Sequence, residues 1–203
     1  GMAKKCLVIG AETLSRVVDI HDRDSMIFSD GAGATIIEKV EDEHDNGIIA
    51  HESATYATDE AFYLTFEASY NQELKRETRY IKMNGRKIYN FALSYVPQAM
   101  KNCLDKSGYG IDEINKIFIH QANEKMDQAI CERFYKLYEK EMPEHVMPMS
   151  IAELGNSSVA TLPTLLDLVK KNQLENQHIE KGDVVIFASV GAGMNINALV
   201  YKI

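Results

Sequence analysis

The 203-residue chain carries 30 acidic against 22 basic side chains, a net charge of −8, and is 45% hydrophobic. That is the balance of an ordinary soluble protein with one sizeable core or two small lobes sharing one, and its sign argues against nucleic acid as the main partner. No apolar run is long enough to cross a membrane, no signal peptide is legible, and three cysteines (Cys6, Cys103, Cys131) without CxxC spacing predict reduced thiols in a cytoplasmic protein.

In chain order, Lys5–Gly10 reads as a strand buried on both faces, because its apolar residues run together. Asp30-Gly31-Ala32-Gly33-Ala34 follows Ile27-Phe28 and leads into a second strand at Thr35–Ile37. A third strand is predicted over 47–56, and a short one at Tyr80–Met83 ends in an Asn84-Gly85 turn signal; residues 57–79 alternate polar and aromatic and carry no clear element. Residues 86–106 are helical, with Ile88, Phe91, Ala92, Tyr95, Ala99 and Cys103 on one face. Ser107-Gly108-Tyr109-Gly110 ends that helix, and Asp112 is placed to cap a short turn. Lys116–His120 is a buried strand, and 123–138 a second helix facing the core with Met126, Ile130, Phe134 and Leu137. After a loop bracketed by Pro143 and Pro148, a third helix is predicted over 157–171, with Pro163 early enough to be tolerated. Strands at Val184–Ala188 and Ala198–Tyr201 flank a Gly191-Ala192-Gly193 turn. Strands alternating with helices of this length define an α/β sheet covered by helices on both sides.

Two segments carry the chemistry. Ile119-His120-Gln121-Ala122-Asn123 follows a strand, Leu154-Gly155-Asn156-Ser157-Ser158 enters a helix, and together they bring one imidazole and one carboxamide toward a common point. Two neutral N–H donors aimed at one oxygen suit an enolate formed by decarboxylation, and each such donor is worth about 2.7–4 kcal/mol in a transition state. The histidine must then be neutral, with its tautomer set by a second hydrogen bond. Taken alone, each is better read as an ordinary polar residue at a strand end or turn. Their joint occurrence with HQAN, GNSS, the 191–193 turn and the DGAGA segment, in this order, resembles the β-ketoacyl-acyl carrier protein synthase III (KAS III) family of thiolase-fold condensing enzymes.

The resemblance runs from Lys5 to Ile203 and corresponds to the later two-thirds of the family. It implies a thiolase-like α/β fold, with residues 1–46 as the last two strands of an N-terminal half and 47–203 as a C-terminal half. By that likeness His120 and Asn156 are catalytic, and the backbone of Gly191, Ala192 and Gly193 belongs to an oxyanion hole. The family usually has a third glycine where Ala192 stands, so a methyl group is expected to crowd the site. Arg23 and Asn123 are expected at the coenzyme A and substrate, although Asp22 and Asp24 make the field around Arg23 less positive. Lys125, Arg133 and Lys136 share no narrow helical stripe and are diluted by Glu124, Glu132 and Glu139, so they read first as a solvated face and second as a docking patch for an acidic carrier protein. The implied partners are acyl-CoA and acyl carrier protein, with no metal or redox cofactor, no nucleic acid and no membrane. The family's nucleophilic cysteine matches none of the three cysteines, all read as inert. The chain is therefore expected to be a fragment inactive in condensation, or a non-catalytic partner subunit of a complete enzyme. Either way it is expected to self-associate as a homo-oligomer such as a dimer, or to bind a chain supplying the N-terminal half. Residues 57–79 and 138–149 depart from the family pattern, so a specialised pathway fits as well as fatty-acid initiation.

Overall fold

A computed structural model describes residues 3–40, 46–74 and 77–203. Its centre is a four-stranded sheet in the order β3 (Gly47–Thr55), β8 (Asn195–Lys202), β7 (Val184–Gly191), β6 (Ile114–Ile119). β6 and β7 run parallel, and the other neighbours are antiparallel. On β6, Ile117 and Ile119 point to one face and Phe118 to the other, as the two-residue period of a strand requires. The first face is covered by α1 (Gly85–Ser107) and α2 (Glu124–Lys136) over the larger core, with Ile186 and Ala188 beside the β6 residues. The second is covered by α4 (Thr161–Lys170), where Phe118 stacks on Phe187 at 5.0 Å between ring centres, over Leu165 and Val169. The predicted α/β sheet with helices on both sides is what forms.

The buried stripe of α1 is wider than the predicted face. Phe91, Ala92, Ala99 and Cys103 are buried as expected, but so are Leu93, Val96, Met100 and Leu104, while Tyr95 stays exposed. The reason is that α1 packs against both the sheet and α2. Pro97 lies in the middle of this helix and has no N–H to give the Leu93 carbonyl. Arg133 of α2 supplies the missing donor, with Nη1 3.0 Å from Leu93 O. Two local readings are corrected. Asn84 is no turn residue but the cap of α1, its Oδ1 accepting from Lys87 N at 3.2 Å. Asp112 does not cap the turn at 111–113; it pairs with Lys140 at 2.8 Å, and Glu113 accepts from Gly110 N instead. Between α2 and the sheet, the loop after residue 136 returns along β6, where Ile117 N donates to Val146 O at 2.8 Å. That bond covers the outer edge of β6, which would otherwise present unpaired backbone groups.

β1 (Lys5–Thr13) and β2 (Asp30–Glu38) form a separate antiparallel ribbon, and β4 (Leu64–Glu67) pairs only with β5 (Tyr80–Met83). The prediction of a strand at Lys5–Gly10 holds, but burial on both faces does not. Leu7, Ile9 and Ile36 share one face of the ribbon and are 64%, 63% and 70% exposed. Nothing in the described chain lies on that face. On the opposite face, glycines at 10, 31 and 33 bare the backbone, and the segment from Ser157 to Pro163 rests directly on them. A Cβ on Gly33 would lie 2.3 Å from Pro163 Cγ, one on Gly31 2.8 Å from Ser157 Cβ, and one on Gly10 2.8 Å from Val159 O. The DGAGA segment is thus part of the strand itself, and its glycines are a seat for the 157–163 segment.

Gly33→Ala is expected to destabilise the protein by about 1–3 kcal/mol through overpacking. Urea unfolding checks this; an unchanged midpoint would show that the segment can move away freely.

Candidate active site

β6 and β7 end side by side, and both ends carry predicted site residues. His120 follows β6, and its N–H donates to Ala188 O of β7 at 2.9 Å. Three residues beyond Ala188, β7 ends at Gly191, and the turn through Ala192 and Gly193 leads into β8. Gly193 has φ +118°, which a residue with a Cβ rarely adopts. The N–H groups of Ala192 and Gly193 have no backbone partner among the described residues. Ala192 is exposed among the described residues. The His120 ring is half-buried, and burial pushes its pKa down to about 4, so the imidazole is neutral at pH 7. No side-chain hydrogen bond fixes its tautomer among the described residues.

Gln121 ties this loop to the second motif. It is fully buried; Nε2 donates to Ile119 O at 3.1 Å and Oε1 accepts from Ser150 N at 2.8 Å. Ser150 precedes α3 (Ile151–Leu154), a single turn that ends at Gly155 with φ +66°. Asn156 comes next and is clamped through its backbone, its N–H donating to Ile27 O at 2.8 Å and its C=O accepting from Ser29 N at 2.9 Å. A side chain at 155 would meet Ile27 O at 3.1 Å, a second reason for glycine there. Asn156 Oδ1 accepts from Ser158 N at 2.9 Å. Because that partner can only donate, the carboxamide orientation is settled and Nδ2 remains free to donate.

The other predicted residues are more scattered. Arg23 opens a short turn, 23–27, with its side chain 92% exposed and Asp24 3.8 Å from it. Asn123 caps α2, its Oδ1 accepting from Met126 N at 3.1 Å, so this carboxamide already has a structural task. Lys125 and Lys136 are exposed, and Lys136 lines a groove between α1 and α2 with Arg133. Arg133 is engaged by Leu93 O, as above, and Lys125 lies outside that groove. Cys103 and Cys131 are fully buried, and burial pushes both thiols above their ordinary range. Cys6 sits within β1 and is exposed. No group of three or more metal-ligating side chains occurs among the described residues.

One buried acid went unpredicted. Asp127 lies in the first turn of α2, fully buried, with neither carboxyl oxygen hydrogen-bonded. Burial raises its pKa to about 8; the nearby N–H groups of Asn123 and Ala122 offset only part of this, and Glu124 adds to it. Cys131 and Tyr135 continue the same buried line at spacings of four, and the Tyr135 hydroxyl also lacks a partner. Asp127 flanks the predicted apolar face, one position on from Met126, where a charged residue reads as solvated.

The sheet with its helices and the two strand-end loops define a thiolase-like α/β protein. A model of the 3-oxoacyl-[acyl-carrier-protein] synthase III C-terminal domain matches residues 104–203, and a 3-oxoacyl-[acyl-carrier-protein] synthase III model matches residues 1–57. Among curated proteins, the β-ketoacyl-[acyl-carrier-protein] synthase III of Porphyra umbilicalis is 35% identical over 210 residues, covering 100% of this chain and 60% of the relative. That of Levilactobacillus brevis is 32% identical over 206 residues, covering 98% and 59%. The solved synthase III of Thermus thermophilus superposes with a TM-score of 0.83 at 28% identity, covering 100% of this chain and 60% of that one. The chain belongs to the 3-oxoacyl-[acyl-carrier-protein] synthase III family, and it spans about 60% of the length of the curated relatives it matches.

Three variants test these contacts. Folded Asp127 keeps its proton up to about pH 8, while the unfolded chain loses it near 3.8. The native state therefore binds more protons between these values, and this group makes stability fall as pH rises across that window. Asp127→Asn should remove that slope, gaining on the parent by a few kcal/mol (order of magnitude) at pH 8 and little at pH 4. Urea unfolding at both pH values reads the difference; an equal shift at each would contradict it. Arg133→Met should cost about 1.5–3 kcal/mol by leaving Leu93 O without a charged donor, whereas Lys125→Met should stay within about 0.5 kcal/mol.

Proposed function

We propose that this chain carries the enolate-stabilising part of a synthase III-type condensing enzyme, an acyltransferase acting on acyl-CoA and malonyl-acyl carrier protein. The observation that carries the reading is the free Nδ2 of Asn156, whose Oδ1 accepts from Ser158 N–H, in a site with a neutral His120. The C–COO⁻ bond of a malonyl thioester breaks, CO₂ leaves, and the electron pair moves into the enolate. Its oxygen takes hydrogen bonds from the His120 ring N–H and Asn156 Nδ2. In the full reaction the enolate carbon attacks an acyl thioester on a cysteine, and a new C–C bond forms as the thiolate is expelled. The N–H groups of the 191–193 turn serve the oxyanion of that step. In this reading none of Cys6, Cys103 and Cys131 is the nucleophile, which arrives on a polypeptide surface packed on the open face of the β1–β2 ribbon. Without it, the enolate is protonated to an acetyl thioester and no condensation follows.

The ribbon keeps the companion reading alive, a partner subunit of a complete condensing enzyme. Its exposed Leu7, Ile9 and Ile36 suit burial against a second chain, in a homo-oligomer or a mixed one. In both readings residues 1–46 belong to an N-terminal half and 47–203 to a C-terminal half. Arg23 serves the nucleotide end of coenzyme A, with Asn123 shaping the entrance. Lys125 and Lys136 meet the acidic carrier protein, with Arg133 contributing only what its bond to Leu93 leaves free. The chemistry needs no metal or redox cofactor and suits a reducing cytoplasm. No helix among the described residues is long and apolar enough to cross a membrane.

Incubating the purified chain with ¹³C-malonyl-CoA and following acetyl-CoA by NMR tests the reading. Slow release of CO₂ above the buffer rate is expected, with His120→Ala and Asn156→Ala each lowering it by about 10²–10³ or to background. No release by the parent chain, or unaltered release by both variants, would sink it.

A further inference from the structure

We propose that Lys82, with Asp19 and Asp22, forms a positioning network for Asn156, a role that rests on the reading of Asn156 given above. Lys82 of β5 is 5% exposed, and its Nζ lies 2.6 Å from Asp19 Oδ2 and 3.1 Å from Asp22 Oδ2, over the Tyr70 ring at 3.6 Å. Asp19 is 1% exposed and takes three further hydrogen bonds, from Ser69 Oγ (2.9 Å), Tyr70 N (2.8 Å) and His21 N (3.1 Å). Burial alone would raise the Asp19 carboxyl, but Lys82 and these donors outweigh it and hold it well below the usual carboxylate range. The same two acids overcome burial at Lys82 and raise its pKa. An ion triad buried this far costs more desolvation than an apolar trio would, so its presence calls for a return in specificity.

The return is visible downstream. Asp22 is at once a partner of Lys82 and the cap of the turn at 23–27, its Oδ1 accepting from Asp24 N at 3.0 Å. Its backbone carbonyl accepts from Ser25 N, and Ser25 O accepts from Phe28 N. The turn therefore leaves the triad in a set direction and delivers Ile27 O and Ser29 N to the two backbone groups of Asn156. β5 is fastened to the same stretch by Ile81 N donating to Val17 O at 2.8 Å. One buried cation thus orients the turn that bears Arg23 and the clamp that holds Asn156. It also accounts for the acidic neighbour of Arg23, since the Asp22 charge is spent on Lys82.

The test is amide hydrogen exchange read by NMR on the parent chain, Lys82→Met and Asp22→Asn. Asp22→Asn keeps the Asp19–Lys82 pair and the capping oxygen, so it remains folded even where Lys82→Met does not. Exchange at the Asn156 and Ser29 N–H groups should quicken by about tenfold in either folded variant, while Met100 in the middle of α1 keeps its parent rate. Decarboxylation of malonyl-CoA should lose about fivefold or more in kcat with KM little changed, as a displaced donor predicts. Unchanged exchange at Asn156, or an equal rise at Met100, would overturn the positioning role whatever the activity. Selective exchange in a parent chain that releases no CO₂ would instead uphold the positioning and overturn the reading of Asn156 as catalytic.

Discussion

The arrangement depends most on a contact made without side chains. Gly10, Gly31 and Gly33 line one face of the β1–β2 ribbon, and the 157–163 segment lies against their backbone. Any larger residue would lift that segment, and Asn156 is its immediate neighbour. Ser158 Oγ adds a hydrogen bond to Glu12 Oε1 at 3.1 Å across the same contact. The DGAGA and GNSS motifs are thus two halves of one interface. That interface joins the ribbon to the four-stranded sheet, with which it shares no strand pairing.

Around this seat, buried polar groups act as fasteners. Gln121 joins the His120 loop to the start of α3, and the Asp19–Lys82–Asp22 triad reaches Asn156 from the opposite side through the 23–27 turn. Leaving a buried donor or acceptor unpaired costs about 1–3 kcal/mol, so each fastener holds one geometry rather than several. Asp127 breaks that pattern: its carboxyl is buried without a partner and so stays neutral. The N–H groups of Asn123 and Ala122 near it offset only part of the burial cost.

How much of this was legible in the sequence follows from which interactions are local. Most strands and helices after residue 84 were legible because apolar periodicity and capping residues act within a few positions, although α3 was not, and the helix predicted from 157 begins at Thr161. The sheet order was not, and neither was the bareness of the ribbon, since burial of Leu7 or Ile9 depends on what lies across from them. His120 and Asn156 stood out as motif residues, but Gln121 and Lys82 did not. A buried glutamine or lysine looks in sequence like any surface polar residue, and its partners Ser150, Asp19 and Asp22 lie 29, 63 and 60 positions away. Arg133 was legible as a charge but its structural task was not, because it is set by Leu93, forty positions earlier, whose carbonyl Pro97 leaves without a helical donor.

In the proposed chemistry, the neutrality of the donors matters as much as their position. A malonyl thioester begins with its charge on the carboxylate and passes it to the enolate oxygen as CO₂ leaves. A cation near the carboxylate would stabilise the starting state, and only interactions stronger in the transition state speed the step. His120, neutral because burial holds its pKa near 4, and the amide of Asn156 offer N–H donors without net charge. The charged candidates stand elsewhere: Arg23 on an exposed turn, Lys125 and Lys136 on the outer surface of α2, and Lys82 neutralised by two carboxylates. In that proposal, Lys125 and Lys136 on the outer surface would meet the acidic carrier, while the step that loses CO₂ faces only uncharged donors.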